Sequence, residues 1–432
     1  MAGARDDSNP RAPRRTSTAA LFEKSALGAA RSNRDWPRQP RDGPALRLGS
    51  SFRPRVLHFG RFDSPSFGGL ERHVRLLLKG LAPFVQADNL VSQDSCLDAQ
   101  VESKDGYRVH RAASWGLLSS VPISPGLLMM ARRLWRENGY GIAHLHFPDP
   151  LSHLAASLLP SDARIVITWH SDIVRQRRFM RLYQPLLDRI LERADAIVAA
   201  TPLHFSTSTQ LRNVRDRGKL HVIPYGLDYR LFDLTAGLEA RVSEIRRQYS
   251  GKPIVFSVGR HVYYKGFEYL VQAATMTDAH VLIAGSGPLL ARNAAEVRRS
   301  GVGDRVTLLG RITDDELAAY YHACDVFCMP SVERSEAFGL VQLEAMACGK
   351  PVVCCDLGNG VTFVNRHGET GLVVAPRDPG ALARAIERLV RDPKLSTSLG
   401  EAGRRRARCD FPVQRMVEQH LALYAQLIGR SP

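Results

Sequence analysis

The 432-residue chain has no apolar run near the roughly 18 uninterrupted residues that a spanning helix requires. Its longest candidates break early: Gly126–Met130 runs into Arg132 and Arg133, and Leu154–Leu159 stops at Pro160. A membrane-spanning protein is therefore not expected. Cysteine is scarce too. The seven (Cys96, Cys324, Cys328, Cys348, Cys354, Cys355, Cys409) are odd in number and form no Cys-x-x-Cys pair. Most lie in apolar stretches such as Val352-Val353-Cys354-Cys355, which reads as buried packing in a reducing compartment. The N-terminus lacks the apolar core of a secretory signal, so a cytoplasmic location is expected. Acids are the minority charge, 43 against 59 lysines and arginines, for a net +16. That excess attracts polyanions such as nucleic acid, anionic lipid or phosphate-bearing substrates without choosing among them. With no helix-turn-helix, zinc-finger or RNA-binding signature beside it, no specific nucleic-acid partner is expected.

Hydrophobic residues make up 44%, enough for each of two domains to bury a core. Residues 1–52 are rich in Arg, Pro, Ser, Gly and Ala and read as a disordered basic extension. A functional arm and a mis-assigned start both account for them. From Arg55 the pattern alternates strand and helix, which predicts an α/β protein with parallel sheets. The first domain spans 53–249, with strands at Arg55–Phe59, Ile142–Phe147, Ile165–Trp169, Ala196–Ala200 and His221–Pro224, and a long basic helix from Arg175 to Arg193. Gly68-Gly69 opens a helix with Val74, Leu77, Leu78 and Leu81 on one face. After Gly251-Lys252-Pro253 the alternation restarts over 250–411. A last helix, 412–432, carries Val413, Val417, Leu421, Tyr424 and Ile428 at helical spacing and is expected to return to the first domain.

In open parallel sheets ligands bind at the carboxyl ends of strands. There, Ile254–Val258 ends in Gly259-Arg260, followed by Lys265-Gly266 before a helix. Gly259 lets backbone approach a ligand, and Arg260 and Lys265 bring two cations together, as a departing diphosphate requires. Ser335-Glu336-Ala337-Phe338-Gly339-Leu340 then opens a helix whose free amides suit a phosphate. Glu336 stands just outside it, where a carboxylate can accept from sugar hydroxyls. Glu344, eight residues on, lies inside the apolar run Leu343–Cys348, where a carboxylate is expensive unless paired. It is placed to reach ribose hydroxyls.

These residues resemble the retaining family 4 glycosyltransferases of the GT-B fold, in which two Rossmann-like domains face each other across a cleft. The resemblance rests on Gly259-Arg260 with Lys265-Gly266 and on Glu336 and Glu344 in an E-x7-E pattern. It extends through Phe338-Gly339-Leu340, Gly349-Lys350-Pro351-Val352 and Gly368-Glu369-Thr370-Gly371 and covers about 55–430. In the first half Gly68-Gly69 matches the family's glycine loop and Pro224-Tyr225-Gly226-Leu227-Asp228 its end-of-domain motif. The resemblance implies that Arg260 and Lys265 hold the diphosphate, Glu344 the ribose and Glu336 the transferred sugar. The amides near Phe338–Leu340 would contact sugar and phosphate. His170 would lie near the reaction centre. It also implies no catalytic metal and no cofactor beyond the nucleotide-sugar co-substrate; Asp149 has no second aspartate at a useful spacing. His144-Leu145-His146 puts two imidazoles on one strand face, but no third ligand is evident nearby, so a packing or cleft-lining role is expected.

A subgroup is suggested by His170-Ser171-Asp172-Ile173-Val174-Arg175-Gln176, His144-Leu145-His146-Phe147-Pro148 and Gly360-Val361-Thr362-Phe363-Val364-Asn365. These resemble bacterial mannosyl- and rhamnosyltransferases of O-antigen or exopolysaccharide synthesis, which act on lipid-linked acceptors, often from GDP-mannose. Asp172, Arg175, Arg177, Arg178 and Arg181 are expected to line the acceptor entrance and an anionic membrane surface, making the enzyme peripheral on the inner face of the cell membrane. Competing readings are a UDP-sugar-dependent transferase of the same fold and a non-catalytic sugar-nucleotide-binding protein. A nucleotide-sugar epimerase or dehydrogenase is excluded, because Gly60-Arg61-Phe62-Asp63-Ser64-Pro65 carries no Gly-x-Gly-x-x-Gly after the first strand.

Overall fold

A computed structural model describes residues 53–63, 68–93, 98–118, 121–173, 177–249 and 251–429. The N-terminal extension and Cys96 lie outside the described residues. None of the described helices is long and apolar enough to cross a membrane.

The first lobe is built on an eight-stranded sheet. From one edge its strands are Leu220–Val222, Ala196–Ala199, Arg164–Trp169, Ile142–Phe147, Arg55–Phe59, Gln86–Ser92, Tyr107–Ala112 and Gln100–Lys104. All pair in parallel except the last, which is antiparallel to its neighbour. The second sheet, Val306–Gly310, His280–Ala284, Ile254–Val258, Val326–Met329, Val352–Cys355 and Gly371–Val374, is parallel throughout. Counted along the chain its order is 3-2-1-4-5-6, that of a dinucleotide-type Rossmann unit, whose ligands sit where the order reverses. In this lobe the reversal falls between Ile254–Val258 and Val326–Met329, the strands that lead into Gly259 and into the Ser331–Leu340 loop.

The second sheet's strands are short apolar runs such as Val352-Val353-Cys354-Cys355, buried on both faces, as a parallel sheet under two helix layers demands. Cys324, Cys328, Cys354 and Cys355 are buried free thiols, and burial pushes the Cys324 and Cys354 thiols up to about 12. They are core residues here.

The lobe boundary differs from the sequence expectation. Tyr225, Leu227, Tyr229, Phe232 and Ile245 pack into the second lobe's core, and Arg246 forms a two-pronged pair with Asp325. The helix Ala236–Gln248 therefore belongs physically with the second lobe, not with the first as the 249/250 division had it. The final helix, Val413–Gly429, goes the other way. Its Met416, Val417, Leu421, Leu423, Tyr424 and Leu427 join Val56, Val74, Leu77 and Leu78 in one core of the first lobe. At the entry of that helix a Cβ on Gly226 would lie 2.6 Å from the Val413 Cα, so the crossing requires glycine.

Candidate active site

Lys265 is positioned by two glycines. A Cβ on Gly259 would stand 3.0 Å from the Lys265 Cε, so that glycine makes room for the lysine stem. Gly266 has φ 65°, and a Cβ there would meet the Pro330 carbonyl oxygen at 2.2 Å, which only glycine avoids. The Lys265 Nζ then lies 2.5 Å from the Glu336 Oε2, which also accepts from the Ser331 hydroxyl at 3.1 Å. Burial alone would lower the lysine's pKa. The Glu336 carboxylate outweighs it, with Tyr264 and Glu344 adding, so the ammonium titrates above the ordinary lysine value. Asn359 donates to the Glu336 carbonyl at 2.6 Å and the Arg334 carbonyl at 3.3 Å, fixing the loop. The residues expected at the diphosphate and at the sugar thus converge on one point, as a bound cation–carboxylate pair. Arg260, on the same loop, is exposed and within electrostatic reach of Glu71 of the first lobe.

The helix Leu340–Ala347 begins where Gly339 caps it in the left-handed region at φ 78°. A Cβ there would press on Gln342 and Met329 at 2.7–2.8 Å. The Phe338 side chain does not enter the cleft. It is buried against Tyr225, ring centroids 4.8 Å apart, where the lobes meet. Only its backbone remains available for the expected sugar and phosphate contacts.

Glu344 is fully buried, as its place in an apolar run led us to expect, and it is paired. Tyr321 donates to its Oε2 at 2.7 Å. The partner of Oε1, at 2.6 Å, is Arg72 of the first lobe. Arg72 lies one turn into the helix Gly69–Leu81, whose start at the exposed Gly68-Gly69 faces the second lobe. The glycine loop and Glu344, 275 residues apart for Gly69, are therefore neighbours across the cleft.

His170 sits at the end of the strand Arg164–Trp169, and its ring is held from both edges. One nitrogen is 3.1 Å from the His146 Nδ1, and the other is within hydrogen-bond distance of the Tyr225 hydroxyl. Burial, then the nearby His73, His146 and His204, keep it neutral by pushing its pKa well below the usual histidine range. Both ring nitrogens being engaged, a sugar hydroxyl reaches one only if a partner yields.

The His144–His146 expectation needs correction, because further imidazoles do stand beside this pair. Strand register sets His58 opposite His144, and the helix Gly69–Leu81 brings His73. Among the described residues two triads, His58–His144–His146 and His73–His146–His170, have ligand atoms within 4.8 Å of one another and are the histidine sets able to hold a metal. Most of their nitrogens already have partners. His144 is bound by Tyr424 at 2.6 Å and Thr168 at 2.7 Å, and His58 meets His146 at 3.3 Å. The set reads as a buried, neutral hydrogen-bond network extending from the last helix to His170. His58 is depressed to about 3, by burial first and then by His420 and His73.

Asp172 is a second correction. Its carboxylate accepts from the Trp169 indole at 3.0 Å, the Ser208 hydroxyl at 2.6 Å and the Thr209 amide at 3.1 Å. With three donors it pins one loop to another, a structural role that the acceptor-entrance expectation did not include. Arg181 is exposed on the helix Arg177–Arg193. Arg175 and the side chains of Arg177 and Arg178 lie outside the described residues.

Two Rossmann-like lobes, with a cation–carboxylate pair at the second lobe's switch point and a buried glutamate facing a glycine loop, define a glycosyltransferase of the GT-B fold. The family model for Glycosyltransferase Family 4 matches residues 67–231, and that for glycosyl transferases group 1 matches 240–406. A D-rhamnosyltransferase of Pseudomonas aeruginosa is 36% identical over 355 residues, 82% of this chain and 91% of the relative. An O-antigen chain mannosyltransferase C of Escherichia coli is 32% identical over 375 residues, 87% and 99% of the two chains. Among solved structures, sucrose-phosphate synthase from Thermosynechococcus elongatus superposes with a TM-score of 0.74 at 27% identity, over 88% of this chain and 100% of the other. The chain belongs to glycosyltransferase family 4.

Proposed function

We propose that the enzyme transfers a hexose, mannose from GDP-mannose, to a lipid-linked saccharide in cell-surface polysaccharide synthesis, with retention of anomeric configuration. The observation that carries this reading is the pairing of Lys265 with Glu336 at the switch point, with Arg260 on the Lys265 loop and Glu344 buried in the helix that follows Glu336. In this reading the diphosphate takes Lys265 and Arg260, Glu336 turns to the sugar hydroxyls, and Glu344 accepts from the ribose. His170 stands beside the transferred sugar. The bond from the anomeric carbon to phosphate oxygen breaks, a bond to the acceptor's hydroxyl oxygen forms, and the hydroxyl proton leaves with the nucleoside diphosphate. Charge growing on the departing oxygen is met by two fixed cations, so no divalent metal is required there. The O-antigen chain mannosyltransferase relative supports mannose and a surface-polysaccharide product, and the rhamnosyltransferase relative makes D-rhamnose the competing sugar. A panel of GDP- and UDP-sugars offered with a membrane lipid extract tests it. Transfer is expected from GDP-mannose, and transfer from UDP-sugars alone would replace the donor.

The acceptor's lipid nature implies a membrane-facing surface, and the first lobe carries a suitable one. Three helices packed side by side, Pro125–Asn138, Pro150–Ser157 and Arg177–Arg193, expose Met129 (71%), Leu154 (40%) and Leu182 (82%). Trp115 (71% exposed) stands just before the hairpin strand Leu117–Leu118 in the same lobe. Arg132, Arg133, Arg136 and Arg181 are exposed on the first and third of these helices. Apolar side chains rimmed by cations suit an anionic bilayer surface, where each cation contributes about 1 kcal/mol. Co-sedimentation with vesicles should need anionic lipid, fade as salt rises, and weaken when Arg132, Arg133, Arg136 and Arg181 become glutamine. Equal pelleting with neutral vesicles would contradict this surface.

A further inference from the structure

The contact between Arg72 and Glu344 has a consequence for donor binding. We propose that Arg72 is a donor-site positioning residue supplied by the first lobe, whose guanidinium occupies the place at Glu344 that the ribose hydroxyls take, so that nucleotide binding exchanges an ion pair for a ribose diol. The inference rests on the reading of Glu344 as the ribose acceptor.

Four observations carry it. Glu344 is fully buried, and its Oε2 is already satisfied by Tyr321 at 2.7 Å. Its Oε1 lies 2.6 Å from the Arg72 Nη1 yet receives no aligned hydrogen bond. The contact is an ion pair without an aligned N–H···O bond, less than a buried carboxylate oxygen usually receives. A ribose diol supplies O–H donors of the required reach. Next, the partners differ in freedom: the Arg72 side chain keeps 30% of its surface in solvent and Glu344 none. Arg72 is therefore the partner able to move aside, while Glu344 is held by Tyr321 and its own helix. Lastly, the preceding residue, Glu71, lies within electrostatic reach of Arg260 of the second lobe as well as of Arg61 of its own. One helical turn thus carries an acid within reach of the proposed diphosphate cation and a cation against the proposed ribose acid. Each is a charge complementary to the group that the donor itself would engage.

The charged and titratable groups around the pair fit this exchange. Among the described residues, Lys265, Tyr321 and Cys348 also interact with Glu344, and Asp314 and Tyr321 act on Arg72. Removing the guanidinium should strip away the competitor and leave Oε1 waiting for a hydroxyl donor.

The test is calorimetric titration of the full chain with GDP and with 2′,3′-dideoxy-GDP, comparing wild type, Arg72→Met and Arg72→Lys. Arg72→Met should bind GDP about ten-fold more tightly than wild type, the effect of offering a donor to an otherwise unsatisfied buried acceptor. Its affinity for dideoxy-GDP should be unchanged, and Arg72→Lys should return GDP binding toward the wild-type value. In turnover assays the donor KM should fall in Arg72→Met without a rise in kcat, a split that general loosening of the fold does not produce. If the methionine variant unfolds, Arg72→Gln carries the same expectation. Weaker or equal GDP binding by a folded Arg72→Met or Arg72→Gln, with wild type still preferring GDP over the dideoxy form, overturns the exchange alone. Equal binding of the two nucleotides by wild type removes Glu344 from the ribose and overturns both readings.

Discussion

Lys265→Ala should lower turnover by roughly 10²–10³-fold, the usual cost of deleting one fixed group that stabilises transition-state charge. Lys265 is the buried cation of the loop, held by the room that Gly259 leaves and by the backbone that Gly266 permits. Its loss also strips Glu336 of its ammonium partner and, among the described residues, leaves its carboxylate with the Ser331 hydroxyl. The carboxylate meant for the sugar then loses its orientation together with the leaving-group charge. Steady-state transfer beside a thermal unfolding curve separates chemistry from folding. The unfolding midpoint should move far less than turnover does. A well-folded Lys265→Ala protein with undiminished turnover would take the diphosphate away from this loop.

Ending the chain at Phe411 should abolish cooperative folding of the first lobe. The helix Val413–Gly429 inserts six side chains, each at most 6% exposed, into the core that includes Val74, Leu77 and Leu78. At about 1.5–3 kcal/mol per buried large apolar side chain, their removal forfeits on the order of 10 kcal/mol. A whole domain is stable by about 5–15 kcal/mol. The same cut takes the Tyr424 hydroxyl from His144, leaving a buried ring nitrogen unpaired. Tyr424→Phe isolates that second part and should cost about 1–3 kcal/mol in urea unfolding. Unaltered cooperative unfolding of the truncated chain would mean that the helix is an accessory and not part of the lobe.

Much of the second lobe could be read from its residues, and the reason is physical. Strands buried on both faces become short apolar runs such as Val326–Met329 and Val352–Cys355, which stand out in the sequence. The capping box that opens Asp314–Ala323 likewise lies within four consecutive residues. The first lobe hid its strand Gln86–Ser92 because Asp88 and Asn89 stand in its middle. Asp88 is tolerated there because Arg108 reaches it from the next strand at 2.6–2.9 Å, with Tyr140 and His110 beside it. The same divide holds at the site. Glu336 and Glu344 share one loop–helix unit, so their spacing shows. Arg72 and Tyr321 meet Glu344 from elements distant in the chain, and an arginine on an amphipathic helix gives no local sign of that meeting. His58 joined His144 only through strand register, which no spacing along the chain records.

The central claim is retaining transfer from GDP-mannose to a lipid-linked saccharide in the cleft holding Lys265, Glu336 and Glu344. The most direct measurement is proton NMR of the product and of the released nucleotide, in buffer with magnesium and manganese withheld. The account predicts one GDP released per sugar transferred and an α-mannosyl product, the configuration the donor carries. A β-linked product, or transfer that starts only when a divalent metal is added, would contradict it.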